Sequence, residues 1–169
     1  MNYASILKCD TNNGDGFRVT LFVSGCTLNC PLCHNKAQQN FKYGKQYTKE
    51  TENSIIEYVS KDYIRGFSLL GGEPFDNICD DLINLLKRIK REYPSKTIYV
   101  WSGYTYEEII NKPRAIEMLK SVDMLRDGRY IAELRNLKQY LQGSSNQRII
   151  DIQKTLKSGV ITKWEVSYE

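Results

Sequence analysis

The chain predicts an α/β fold on a mainly parallel sheet, and three observations carry that expectation. Runs of β-branched and aromatic residues alternate with longer segments of helical apolar spacing. Strands that alternate with helices imply right-handed βαβ units and hence parallel pairing. The chemically unusual loops each follow a strand, and no internal repeat, low-complexity tract or Pro/Gly/Ser linker divides residues 1–169, which therefore read as one domain.

In chain order, "FRVTLFV" (Phe17 to Val23) is a strand that runs straight into a cysteine-rich loop. A helix starts near Thr48, where Glu50 and Glu52 suit its positive end, and it carries Ile55, Ile56 and Val59 inward. "GFSLL" (Gly66 to Leu70) is a short buried strand that ends abruptly at Gly71-Gly72. Asp76 can cap a long helix, because Ile78, Leu82, Leu85, Leu86 and Ile89 fall at helical spacing. "TIYVW" (Thr97 to Trp101) is the next strand, and Thr105-x-x-Glu108 is a capping box that opens another helix. Pro113 interrupts that helix, and Val122 to Leu125 is a fourth strand. The tail "IIDIQKTLKSGVITKWEV" alternates around Ser158-Gly159, which predicts a C-terminal hairpin.

The formal charge is a modest +4, and its basic residues sit in helical segments such as Lys87 to Glu92. That pattern reads as a solvated helix face, not a nucleic-acid footprint, though it is compatible with an acidic protein partner. The N-terminus has neither a basic leader nor an apolar signal region, and the longest apolar run is far short of a membrane span. The expectation is a cytoplasmic protein with no membrane partner, whose five cysteines stay reduced as ligands plus spares. Cys9 and Cys79 stand alone and read as small buried hydrophobes.

The other three thiols, Cys26, Cys30 and Cys33 in "SGCTLNCPLCHN", are spaced Cys-x3-Cys-x2-Cys. With His34 they would make a Cys3His zinc set by count, but Cys33 and His34 are sequence neighbours whose side chains diverge. A cube of iron and sulfide suits three closely spaced thiolates better, and it leaves one iron open to a small chelating molecule.

This spacing in the loop after the first strand resembles the signature of the radical S-adenosylmethionine enzymes. "GGEP" (Gly71 to Pro74), at the end of the next strand, matches that superfamily's loop for the methionine end of its cofactor. Further segments narrow the resemblance: "MNY", "NGDGFR", "LFVSGC", "CPLCHN", "WSGYT", "DML" followed by "DGRY", and "GSSNQRIID". In this order they are similar to the activating proteins of the anaerobic, class III ribonucleoside-triphosphate reductases, from Met1 to about Asp151.

The resemblance implies a partial, open β/α barrel forming one radical S-adenosylmethionine domain over 1–169. It implies a [4Fe-4S] cluster on Cys26, Cys30 and Cys33, with S-adenosylmethionine as cofactor. Leu32, Cys33 and His34 would lie along the adenine end, and Gly71, Gly72 and Glu73 would hold the methionine end. Ser102 and Asp127 are further polar candidates, for which local turn chemistry is an equal explanation. No side chain needs to act as a general acid or base, because the cofactor carries the chemistry. The partner would be the large reductase subunit, activated at a glycine, with a flavodoxin-like electron donor. The activase of another glycyl-radical enzyme, of the pyruvate formate-lyase type, and a non-catalytic metal-binding module are the alternatives. One departure stands out: activases of this type often have Gly before the third cysteine and Tyr after it, where this chain has Leu32 and His34.

Overall fold

The computed structural model describes residues 1–165. Among these, the strands are β1 (Asn2–Asp10), β2 (Phe17–Val23), β3 (Lys45–Gln46), β4 (Ile64–Gly71), β5 (Thr97–Trp101), β6 (Met124–Asp127) and β7 (Arg148–Asp151). The α-helices are α1 (Lys49–Val59), α2 (Asp80–Glu92), α3 (Tyr106–Ile109), α4 (Ala115–Leu119) and α5 (Ile152–Ser158). The strands form one sheet in the order β3-β1-β2-β4-β5-β6-β7.

One face of this sheet carries the aliphatic core. Val19, Leu21 and Val23 of β2, Phe67 and Leu69 of β4, and Ile98 and Val100 of β5 pack with Ile55 and Val59 of α1 and with Leu82, Leu85, Leu86 and Ile89 of α2. Each fully buried aliphatic side chain contributes about 1.5–3 kcal/mol of transfer free energy. The other face has a different character: the strand registers align Arg18, Thr20, Ser68, Tyr99, Trp101, Met124 and Arg126 on it. There Tyr99, Trp101 and Met124 pack with Leu141 and Trp164.

Helix ends follow local chemistry. Thr48 caps α1 in a capping box closed by Thr51, and Thr105 and Glu108 close the predicted box at α3. Asp76 does not cap α2: Cys79 holds that position without a side-chain bond, and Asp80 and Asp81 complement the positive end instead. Cys79 is half-buried against the core, as its apolar spacing implies, whereas Cys9 is exposed on an edge-side strand and is not the buried hydrophobe expected.

The expectation of a mainly parallel sheet in a partial β/α barrel is overturned. The sheet is open and mixed: β2–β4, β4–β5 and β5–β6 are parallel, while β1–β2, β1–β3 and β6–β7 are antiparallel. The reason lies in the connections. Residues 11–16 form a turn that folds β2 back on β1, and the stretch 128–147 returns to β6 without a helical crossover.

The C-terminal hairpin is also overturned. Asp151 accepts the Lys154 N–H at 2.9 Å and starts α5, which buries Ile152 and Thr155 and ends at Gly159 with φ of 73°. Apolar spacing in this tail is therefore helical, and among the described residues the chain returns to β7 at the single bridge of Lys163 to Ile150, closed by Asp151 N–H to the Thr162 carbonyl and Trp164 N–H to the Ile149 carbonyl. Val166, the last residue of the predicted hairpin, lies outside the described residues. Among the described residues, no helix is long and apolar enough to cross a membrane.

Candidate functional site

The cysteine loop leaves the C-terminal end of β2 and is clamped by backbone contacts. Gly25 has φ of 109°, and its N–H donates to the Gln38 carbonyl at 2.7 Å. Its own carbonyl accepts from the Glu73 N–H at 2.8 Å and from Asn77 Nδ2 at 3.0 Å. A Cβ on Gly72 would sit 2.4 Å from that carbonyl, and one on Gly25 would sit 2.1 Å from the Phe41 ring. Glycine is required at Gly72 so that the cysteine loop and the Gly-Gly loop can touch, and at Gly25 because of its positive φ and the adjacent Phe41 ring.

Two buried acids fasten this contact to the loop after β5. Glu73 accepts from Ser102 Oγ at 2.8 Å, from the Gly103 N–H at 2.8 Å and from the Phe75 N–H at 3.1 Å. Burial pushes its carboxyl up to about 7, because desolvation outweighs these three hydrogen bonds. Asp76 accepts from the Thr27 N–H and Oγ1, each at 2.8 Å, and from Tyr104 Oη and Lys112 Nζ, each at 3.0 Å. Burial opposes its ionisation, yet the bonds from Thr27, Lys112 and Tyr104 hold its carboxyl below the usual value. Glu73 and Asp76 thus join the cysteine loop, the Gly-Gly loop and the Ser102-Gly103 loop into one unit.

Cys26, Cys30 and Cys33 are free, half-buried thiols on that unit. Burial pushes the Cys26 thiol up to about 11, so a metal that takes it as thiolate must displace its proton. Among the described residues, no three His, Cys, Asp or Glu side chains are gathered tightly enough to cage a metal ion. The donor set is therefore three separate thiols on one loop, and it fits a cluster that bridges several irons better than a closed four-ligand zinc site.

Leu32 and His34 are both exposed, Leu32 at 65%. They border an apolar cleft of about 430 Å3 whose far wall is Tyr130 to Glu133. That wall is held by the "GSSNQ" segment: Gln147 Nε2 donates to the Gly128 carbonyl at 2.9 Å, Asn146 Nδ2 to the Arg129 carbonyl at 2.8 Å, and the Ile131 N–H to Ser144 Oγ at 3.2 Å. A second, smaller cleft of about 210 Å3 lies among Gly71, Gly72, Trp101, Ser102, Gly103 and Arg126. Asn35 borders both clefts.

The predicted polar candidates separate. Ser102 lines the second cleft, but its hydroxyl is committed to Glu73 and to the Tyr104 N–H. Asp127 faces the helices, accepting from the Tyr106 N–H at 2.6 Å and from Arg148, which also pairs with Glu107. Asp76, Gln147 and Arg126 were not foreseen as site residues. The available signal for Arg126 was a charge inside the apolar strand "DMLRD"; for Asp76 it was its place two residues after Pro74.

The family described as "4Fe-4S single cluster domain" matches residues 12–150. The anaerobic ribonucleoside-triphosphate reductase-activating protein of Enterobacteria phage T4 is 39% identical over 150 residues, covering 88% of this chain and 93% of that protein. The protein of that name from Escherichia coli strain K12 is 37% identical over 151 residues, covering 87% and 96%, and the one from Haemophilus influenzae is 38% identical over 152 residues, covering 88% and 97%. On the extent of these matches and their coverage of both partners, the chain belongs to the family of anaerobic ribonucleoside-triphosphate reductase-activating proteins, and its residues 12–150 match the 4Fe-4S single cluster domain.

Proposed function

We propose that this chain is a radical S-adenosylmethionine enzyme, a single domain over residues 1–169, that installs a glycyl radical on the large subunit of the anaerobic ribonucleotide reductase. The observation that carries the reading is the cysteine loop fastened between two clefts of opposite character that share Asn35. An elongated molecule with a flat apolar base at one end and an amino-acid group at the other matches that pair. When bound, the cluster supplies one electron to the cofactor's sulfonium, which yields methionine and a 5′-deoxyadenosyl radical able to take hydrogen from a glycine Cα of the partner.

The chain's own residues then have defined tasks. Cys26, Cys30 and Cys33 would hold the cluster as thiolates, and with three protein ligands it would keep a position open to the cofactor. Leu32 and His34 supply packing surface for the adenine, with Cys33 contributing backbone. Gly71 and Gly72 admit the methionine end. Glu73 helps to shape that end from beneath: with three protein donors already on its carboxylate, its first task is to hold the Ser102-Gly103 loop, and its remaining lone pair is what an ammonium could reach. Tyr130 to Glu133 supply the opposite wall of the cleft that the adenine would enter. Cytoplasmic location and a flavodoxin-like donor belong to the same reading, since a reduced thiol triplet and a low-potential electron are both needed.

The test is anaerobic reconstitution with iron and sulfide, followed by reduction, addition of S-adenosylmethionine and assay of 5′-deoxyadenosine with the large reductase subunit. Each of Cys26→Ala, Cys30→Ala and Cys33→Ala should abolish cofactor cleavage, while Cys9→Ala and Cys79→Ala retain it. Cleavage with a glycyl radical signal on the subunit supports the activase. Cleavage without that signal reassigns the substrate, and zinc binding with no cleavage sinks the reading.

A further inference from the structure

The segment that follows the thiols is basic and exposed, and it borders neither cleft. No acidic residue occurs between Asp15 and Glu50, while Lys36, Lys42 and Lys45 fall within that stretch. All three lysines are exposed, and among the described residues no acid pairs with any of them. Lys49, the next cation, is by contrast held by Glu52 at 2.6 Å. Between the free lysines stand Phe41 and Tyr43, 46% and 44% exposed. The turn that presents them is ordered: the Lys42 N–H donates to Asn40 Oδ1 at 2.9 Å and the Tyr43 N–H to the Asn40 carbonyl at 3.0 Å. Gly44, with φ of 79°, packs on β1, where a Cβ would lie 2.1 Å from the Tyr3 carbonyl oxygen. Unneutralised cations and open rings on a hydrogen-bonded frame suit an acidic protein surface.

This face is wired closely to the thiols. The Cys26 N–H donates to the Gln39 carbonyl at 3.1 Å, and the Phe41 ring lies against Gly25, one residue before Cys26. None of residues 36–45 lines either cleft. The two proteins that must meet this chain have different needs. One that gives up a backbone hydrogen has to reach into the clefts, whereas one that delivers an electron has only to approach the cluster, from any side. We infer that Lys36, Phe41, Lys42, Tyr43 and Lys45 form the docking face for an acidic one-electron carrier protein. From there the carrier serves the cluster on Cys26, Cys30 and Cys33 while the clefts stay open to the cofactor and the reductase subunit. This rests on the radical reading above and gives its electron donor a place on the molecule. The step is a transfer of one electron: an anionic flavin hydroquinone on the carrier becomes its neutral semiquinone, and the cluster passes from its oxidised to its reduced state. No bond breaks and no proton moves.

The experiment uses the anaerobically reconstituted full chain and a flavodoxin, an acidic flavoprotein, as the carrier, with no S-adenosylmethionine present. Stopped-flow absorbance follows oxidation of the flavodoxin hydroquinone by the cluster, and calorimetry gives the affinity of the oxidised flavodoxin. The triple variant Lys36→Glu, Lys42→Glu, Lys45→Glu should slow the second-order transfer about 10- to 100-fold at low salt and weaken binding about 10-fold. The gap should narrow as added salt shortens the screening length. Light-driven reduction by free deazaflavin, which needs no docking face, should give the same reduced-cluster signal in both proteins. Lys61 follows α1, Lys120 follows α4 and Lys157 lies in α5, all exposed. Reversing these three instead changes the charge equally and should alter transfer by less than about 3-fold. Should the first triple variant not take up its cluster, Gln at the same three positions is read in the same way. Transfer that is unchanged by the first variant, or slowed equally by both, overturns the docking face and leaves the radical reading standing. So does a photoreduced first variant that cleaves the cofactor yet no longer places a radical on the reductase subunit, because the face then belongs to that subunit. A photoreduced wild type that never cleaves S-adenosylmethionine overturns the radical reading, and is told apart because carrier transfer is measured without the cofactor.

Discussion

Arg18, near the start of β2, and Arg126, near the end of β6, project from the same face of the same sheet. Arg18 is fully buried and fully engaged: Nε donates to Ser68 Oγ at 2.7 Å, Nη1 to Thr97 Oγ1 at 3.0 Å, and Nη2 to the Phe67 and Thr97 carbonyls at 2.9 and 2.8 Å. Its guanidinium lies 3.8 Å from the centroid of Tyr99, and a Cβ on Gly66 would come within 2.6 Å of Nη2. The chain has cleared space for this cation and surrounded it with acceptors. Arg126, by contrast, is half-buried, and its buried Nε has no hydrogen-bond partner. One end of the sheet face is fully hydrogen-bonded within the protein, and the other end, where the cysteine loop and the Gly-Gly loop meet, keeps a buried Nε without a partner. Depressed guanidinium basicity is common to both residues and does not distinguish them; hydrogen-bond partners do.

The sharpest way to break this comparison is to remove each cation in turn. Arg18→Met leaves Ser68, Thr97 and the Phe67 carbonyl without their donor in a closed interior, and should destabilise the chain by about 3–5 kcal/mol in urea unfolding. Arg126→Met orphans nothing in the protein, so its midpoint should match or exceed that of wild type. Equal losses from the two substitutions would mean that Arg126 has a structural partner and that the two ends are alike.

Glu73 sharpens the contrast through pH. Its folded carboxyl titrates near 7 because burial disfavours the charge, whereas the unfolded carboxyl titrates near 4.5. Between those values the native state binds the extra proton, so stability falls as pH rises through the window. The contribution is present in full below about 4.5 and lost above about 7, a swing of up to about 3 kcal/mol. Unfolding curves at pH 5 and pH 8 should show that loss in wild type and not in Glu73→Gln. Parallel pH profiles for the two proteins would show that Glu73 is solvated and that this end of the sheet is not desolvated as described.

What could be read in the sequence follows from where each signal resides. β2, β4 and β5 are legible because both of their faces are covered, which selects continuous apolar runs such as "TLFV" and "IYVW". β1 is not legible: much of it is exposed, and "YASILKC" mixes Ala, Ser and Lys into a strand that only its pairing with β2 defines. Strand direction at the sheet's two sides depends on a turn at 11–16 and a long return at 128–147, neither of which has an apolar period. α5 was obscured because "IIDI" continues the alternation of β7 for one residue past the Asp151 cap. In the site, the cysteine triplet and Gly-Gly-Glu-Pro are legible because their chemistry is local in sequence. The bonds of Asp76 to Thr27 and of Gln147 to Gly128 span 49 and 19 positions, and no spacing rule announces them.

Asp76 provides the finest test, because it sits at the border between the two kinds of region: wholly satisfied, yet part of the open end. Its carboxylate joins Thr27 of the cysteine loop to Tyr104 and Lys112 from the far side of the site, and Lys112 lies 3.9 Å from the Tyr104 ring centroid. Asp76→Asn keeps one acceptor oxygen and loses the charge opposite Lys112. The expected loss is about 1–2 kcal/mol of global stability, well below that of Arg18→Met, since Lys112 is partly solvated. Its pH dependence runs opposite to that of Glu73. The Asp76 contribution is present above about 3.8 and disappears as pH falls through its lowered folded pKa. The larger consequence is local. With the Thr27 N–H no longer tied to a charge, the cysteine loop should open more often, seen as faster amide hydrogen exchange at residues 26–30 and no change around Arg18. Exchange that quickens equally at both ends would place Asp76 in the global core; exchange confined to the cysteine loop would make it the staple between a finished scaffold and a site that is completed on binding.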